Sequence, residues 1–165
     1  SYVGGRYAVF VDSGTSALDL SVKWLKKKKL FKKKNRVSVP SLTFASTAEV
    51  VVNNGLRPEF LDVDKKTFCL QQDVIVSGGI PVHLLGNRCG SYSWMYDSAH
   101  RIIRDDVSGS IALWCYSFYA TKNMSTINGG MIVTNDEKAA KWLKKARDHG
   151  ISKGTTERYK DGQWA

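Results

Sequence analysis

Short apolar runs and amphipathic stretches alternate along the 165 residues of the chain. Tyr7 to Val11 (YAVFV) is a β-prone run that stops at Asp12-Ser13-Gly14-Thr15, after which Leu18, Val22 and Leu25 share one helical face. This unit reads as strand, tight turn, helix. A second unit follows the same plan: Val37 to Val39 is a short strand and Pro40 to Thr43 a loop. Phe44, Ala48, Val51 and Val52 then lie on a helix that stops at Asn54-Gly55. Pro58 to Val63 is a third strand. Ile80 to Leu85, Ser93 to Asp97 and Ile111 to Phe118 read as buried strands, and Gly130 to Val133 as one more after a Gly-Gly turn. In the last helix, Thr134 and Glu137 read as a capping box, Ala139, Trp142, Leu143 and Ala146 as the apolar face, and Gly150 as the stop.

Alternation of this kind predicts an α/β domain over residues 1–150, with a mostly parallel central sheet and flanking helices. Residues 151–165 form a polar tail without usable period. Phe68 to Pro81 and Gly86 to Trp94 are short for crossovers that carry a helix between neighbouring parallel strands. One or two strands are therefore expected to have an uncovered face, an apolar patch that would favour dimerisation.

Composition narrows the class. An apolar share of 42% and a charged share of 24% are those of a soluble globular protein, and no apolar run reaches the roughly 18 residues of a membrane span. Ser1 to Gly5 leads into the first strand without a basic segment or cleavage site, which points to the cytoplasm. Cys69, Cys89 and Cys115, odd in number and widely spaced, suit reduced thiols better than a disulfide framework. No C-x-x-C pair suggests a metal. The net charge of +10 is local: Lys23 to Arg36 holds eight Lys and one Arg without an acid, and without those nine the chain has 16 basic against 15 acidic residues. Such a run is either a solvated surface segment or a patch for phosphates of nucleic acid or of an anionic membrane surface, with Trp24 and Phe31 as stacking or interfacial groups.

Three places carry candidate chemistry. At Ser13-Gly14-Thr15-Ser16, a glycine at a strand end followed by hydroxyl residues at a helix start offers free amides to a phosphate, although a plain Ser/Thr helix cap has the same pattern. Asp97 ends an apolar strand (SWMYD), where open α/β sheets collect ligand-binding residues; buried there it would need a donor or cationic partner, and a turn or capping role is the alternative. Lys122 follows the aromatic strand end Ser117-Phe118-Tyr119. In a partly desolvated site a lysine becomes an amine nucleophile toward a carbonyl, whereas most lysines are solvated surface groups.

Taken together, VDSGTSAL (11–18), VPSLTFASTAEVVVNNGLRPEFLDVD (39–64), PVHLLG (81–86), YDSAH (96–100) and SFYATKNMSTINGGMIVTNDE (117–137) resemble, in order, the DegT/StrS-type nucleotide-sugar aminotransferases. These are a branch of the fold-type-I pyridoxal-phosphate enzymes, and the part resembled is their large domain. The resemblance implies that Gly14, Thr15 and Ser117 hold the phosphate of pyridoxal 5'-phosphate and that Phe44 lies over its ring. Asp97 would keep the ring nitrogen protonated, and Lys122 would form the Schiff base and shuttle the proton. His100, where many relatives have Gln, would sit near the cofactor's phenolic oxygen. No metal is implied. The implied reaction moves an amino group from glutamate to a nucleotide-linked keto sugar, in a homodimer whose interface contains the active site.

Family members are usually more than twice as long, with a segment ahead of Ser1 and a small domain beyond Ala165. A reduced, catalytically incomplete member that binds a ligand or a partner chain is therefore the second reading, and a nucleic-acid binder working through residues 23–36 the third. His83 is expected to be a satisfied core histidine, and His149 to favour a helix C-terminus.

Overall fold

In the computed structural model of the protein, residues 1–31, 35–71 and 78–150 are described. The chain runs β1 (Tyr7–Val11), α1 (Gly14–Lys27), β2 (Arg36–Pro40), α2 (Ala45–Asn53), β3 (Arg57–Leu61), β4 (Met95–Asp97), β5 (Leu113–Ser117), β6 (Gly130–Thr134) and α3 (Glu137–Ala146). One sheet has the order β1-β6-β5-β4, and β2 and β3 form a separate parallel pair. Between these lies the segment Gly79–His83. It bridges Ser38 of β2 on one side and Asp97 of β4 on the other, both in the parallel sense.

Strand direction follows from the registers. β6 is antiparallel to both β1 and β5, β4 is parallel to β5, and the 79–83 segment and the β2–β3 pair continue in that direction. Every strand except β6 therefore points the same way, which is the mostly parallel sheet expected.

The 80–85 stretch departs from expectation. Its ladder is reduced to isolated contacts: Ile80 N donates to Ser38 O, His83 N donates to Asp97 O, and Asp97 N donates to Pro81 O. Pro81 has no N–H to give, and Leu84–Gly86 forms a 3-10 turn in which Leu85 takes a positive φ of 53°. The last helix also starts differently. Thr134 is the end of β6, and the capping residue of α3 is Asp136, whose Oδ1 accepts from the amides of Lys138 and Ala139. A carboxylate there also complements the helix dipole. The helix ends at Ala146, four residues before Gly150.

Ala17, Leu18, Ser21, Val22 and Leu25 bury one stripe of α1 against β5 and β6. Each of the larger apolar side chains so buried contributes about 1.5–3 kcal/mol. Trp24 also turns inward, tilted against Trp142 of α3 with ring centroids 5.5 Å apart, and Phe31 is buried in the same core. The stacking groups proposed for the basic run are thus core residues. Lys23 pairs with Asp19, Lys26 donates to Asn54 O, and Lys27 and Lys28 sit over the Trp142 and Trp24 rings. Lys32 to Lys34 lie outside the described residues.

The opposite face of the sheet is not bare. Tyr96, Trp114, Tyr116 and Phe118 are buried there with Val3 and Val107, so the opening residues and the 98–112 loop cover the face in place of crossover helices. A forked pair fixes that loop: Arg101 donates through Nε to Asp106 Oδ2 at 2.6 Å and through Nη2 to Oδ1 at 3.1 Å, while Nη1 reaches Gly86 O. Among the described residues no helix is long and apolar enough to cross a membrane. The three cysteines are buried free thiols.

His83 is fully buried on this face, stacked on Tyr96 and tilted against Trp114. Its Nδ1 accepts from Cys89 N at 2.9 Å, which places the proton on Nε2, and Nε2 meets no partner among the described residues. The core-histidine expectation therefore holds for one nitrogen only. Burial pushes the imidazole pKa down from 6.5 to about 4, with the Asp106 carboxylate opposing. The folded chain thus binds fewer protons than the unfolded one between these values. The contribution of His83 is complete above the upper value and is lost as pH falls through the lower, amounting to about 3 kcal/mol. Melting temperatures measured from neutral pH down to about pH 4.5 should fall more steeply for wild type than for His83→Asn, whose amide can still accept from Cys89 N. Equal slopes would show that His83 does not titrate in this window.

Candidate active site

Because the strands other than β6 share a direction, the loops that follow β1, β2, the 79–83 segment, β4 and β5 all emerge at one edge of the sheet. Between them lies a cleft of about 310 Å³. Its wall includes Gly14 and Thr15 from the start of α1, Phe44 from the start of α2, and Asp97 and His100 from the end of β4. Ser117 and Lys122 complete it from the end of β5. All seven residues singled out in the sequence therefore meet in one place.

Ser13 takes an extended conformation at the cap position of α1 and its Oγ accepts from Ser16 N at 3.1 Å, while Ser13 O accepts from Ala17 N. The amides of Gly14 and Thr15 have no partner among the described residues, since the first amides of a helix lack intrahelical acceptors. Glycine at 14 is required by closeness: a Cβ there would lie 2.8 Å from the Cβ of Ser117. Across the same seam a Cβ on Gly130 would lie 2.2 Å from Ser13 O. The two glycines let the helix start rest on the ends of β5 and β6.

Asp97 is buried at the cleft floor, beside Cys115 in register on β5. Its Oδ2 accepts from Thr47 Oγ1 at 2.9 Å and its Oδ1 from Ala99 N at 3.1 Å, the donors that a buried carboxylate needs. Burial pushes its pKa up. The Ala99 amide and the Thr47 hydroxyl oppose that rise, and the positive charges of His100 and Lys122 oppose it further. Burial holds the His100 pKa down, with the Lys122 charge acting in the same sense and Asp97 against it. His100 Nδ1 accepts from Leu85 N over a long 3.4 Å, so Nε2 is left as its donor.

Lys122 is half-buried, on a turn closed by its own amide to Tyr119 O. Phe44 caps α2 without a side-chain hydrogen bond and is 74% exposed, an aromatic face at the cleft wall.

Thr43 and Thr47, whose hydroxyls lie 2.8 Å apart, are the part of the site that sequence reading passed over. A signal existed. Thr47 occupies the same stripe as Val50 and Val51, a hydroxyl where the helical period calls for an apolar side chain.

The sequence profile of the DegT/DnrJ/EryC1/StrS aminotransferase family matches residues 1–102 and 96–163. An uncharacterised protein of Methanocaldococcus jannaschii is 32% identical, over 99% of this chain and 47% of its own length. The spore coat polysaccharide biosynthesis protein SpsC of Bacillus subtilis has the same identity and coverage. Both alignments run over 187 residues, more than this chain contains, so the relatives carry internal segments that it lacks, in keeping with its short crossovers. The chain spans about half the length of these curated relatives. Among solved structures, the aminotransferase from Psychrobacter cryohalolentis is 28% identical with a TM-score of 0.79, over 92% of this chain and 43% of that one. A DegT DnrJ EryC1 StrS aminotransferase from Brucella abortus is 26% identical with a TM-score of 0.78, over 93% and 48%. On the profile match, which covers most of its length, the chain belongs to the DegT/DnrJ/EryC1/StrS aminotransferase family.

Proposed function

We propose that residues 1–150 form the pyridoxal-phosphate-binding unit of an aminotransferase, with residues 151–165 leading on toward the small domain of the longer relatives. In this reading the reaction moves an amino group from glutamate to a nucleotide-linked keto sugar in the cytoplasm. The observation that carries it is the meeting, in one cleft, of two helix-start amides without a partner among the described residues, a buried carboxylate and an amine.

The donor set fits the cofactor. The amides of Gly14 and Thr15 and the Ser117 hydroxyl suit a phosphate dianion, aided by the α1 dipole. Asp97 suits a protonated ring nitrogen, His100 Nε2 an oxygen acceptor, and Phe44 a flat aromatic face. Lys122 would supply the amine for the cofactor's aldehyde. When bound, the cofactor supplies an electron sink for the carbon from which a proton is removed. The protein's part is to orient that carbon, to keep a negative charge at Asp97, and to take up and return the proton at Lys122 Nζ. Buried among apolar side chains, the Asp97 carboxylate is neutralised less by water than it would be at the surface, so its charge acts strongly on whatever cation it faces.

A homodimer suits the exposed aromatic side chains of the cleft wall, Phe44 and Tyr119. The internal segments that these relatives carry and this chain lacks favour, as second reading, a reduced member that holds the cofactor without completing turnover. The nucleic-acid reading loses support, because Trp24 and Phe31 lie in the core.

Purified protein mixed with pyridoxal phosphate should develop a visible absorbance band, and borohydride should then leave a cofactor mass on the peptide that contains Lys122. Lys122→Ala should show neither. A band that survives in Lys122→Ala would sink the reading, while a band without transamination of any keto sugar would support the reduced member. Gly14→Ala forces a methyl group against Ser117 and should weaken cofactor uptake at least tenfold in a spectroscopic titration, with less effect on melting temperature. Unchanged uptake would remove the phosphate from the start of α1.

A further inference from the structure

Thr47 is fully buried in α2, one turn beyond Thr43, and its hydroxyl is the side-chain donor to Asp97 among the described residues. The directions of the two hydroxyl contacts can be worked out. An ionised carboxylate only accepts, so the Thr47 proton is committed to Asp97 Oδ2. Thr47 Oγ1 can then serve Thr43 only as an acceptor, and Thr43 must donate across their 2.8 Å contact. With its own proton turned inward, half-buried Thr43 at the cleft wall offers the cleft lone pairs alone. A neutral Asp97 removes this order. Its proton could then point to Thr47, reversing both hydroxyls and making Thr43 a donor.

We propose that Thr47 is a positioning residue for Asp97, and that Thr43 and Thr47 form a two-hydroxyl chain that holds the carboxylate ionised and signals its charge at the cleft wall. For its bearing on chemistry this rests on the cofactor reading above, in which an ionised Asp97 keeps the ring nitrogen protonated; the chain of hydroxyls exists in the protein without ligand. The opposition of the Thr47 hydroxyl to the rise of the Asp97 pKa agrees with it. The groups that act on Asp97 alongside Thr47 are the Ala99 amide and His100 from the loop after β4, Cys115 on β5, and Lys122 from the loop beyond. Of these, the Ala99 amide alone is within hydrogen-bonding distance of the carboxylate. Thr47 thus provides one of the two direct contacts that favour the anion.

The test follows the Asp97 carboxyl carbon by NMR in ligand-free protein labelled at aspartate, with Asp97→Asn to assign the signal. In Thr47→Val the titration midpoint should rise by about one pH unit, a tenfold gain in proton affinity. Thr47→Ser should return it to the wild-type value, and Thr43→Val, which removes only the second hydroxyl, should raise it by less. After addition of pyridoxal phosphate, affinity read from the absorbance band should fall in the order wild type, Thr43→Val, Thr47→Val. A folded Thr47→Val that titrates like wild type, or a Thr47→Ser that behaves like the valine variant, overturns the proposal. Should Thr47→Val not fold, an unchanged midpoint in Thr43→Val overturns it equally. Wild-type protein that takes up no pyridoxal phosphate defeats the cofactor reading instead, and the ligand-free titration still decides the hydroxyl chain.

Discussion

The contact on which the molecule turns is the seating of the first helix on the ends of two central strands. At that seam Gly14 meets Ser117 and Gly130 meets Ser13 at distances that leave no room for a Cβ. Everything chemical follows from the closeness. The first turn of the helix brings Gly14 and Thr15 to the cleft because it lies flush against β5 and β6, and β5 is the strand that delivers Ser117 and, a few residues later, Lys122. A bulkier residue at either glycine would lift the helix start away from the strand that carries its partners.

Asp97 sets the second condition. A carboxylate in this position is disfavoured by burial and is tolerated through donors that reach it from different elements: an amide of its own loop and a hydroxyl of α2. The site is thereby coupled to α2, which also brings Ser46 to the cleft. The back of the sheet is handled differently. There a compact aromatic cluster and the Arg101–Asp106 fork replace covering helices, and His83 stays neutral within it.

Much of this was legible in the residues themselves. Periodicity located α1 through Leu18, Val22 and Leu25, and the apolar runs located β1, β5 and β6 to within two residues at each end. The seven residues that the family resemblance singled out line one cleft, because each lies at a strand end or within about five residues of one. What failed has local causes. The 80–85 stretch is apolar enough for a strand but contains Pro81 and ends in a turn, so its pairing is broken into single bridges. The Thr134 capping pattern was outcompeted by Asp136, two residues nearer the helix. The expected bare face could not be judged, since covering it depends on long-range packing of loops that have no period. Thr47 stands out as a hydroxyl on the buried stripe of α2, but which group it serves depends on the packing of α2 against β4 and cannot be read from the helix alone.

The thin joint between the two sheets bears on how the molecule deforms. The β2–β3 pair meets the larger sheet through the 79–83 segment, with one bridge on each side among the described residues, whereas α2 leans on α1 through the Asn54–Asp19 and Lys26–Asn54 contacts. The β2–α2–β3 leaf is thus fastened through its helix as well as through its strands. Phe44 and Thr43 ride on that leaf, so a small rotation about the joint would widen or narrow the cleft while leaving Gly14, Ser117 and Lys122 fixed relative to one another.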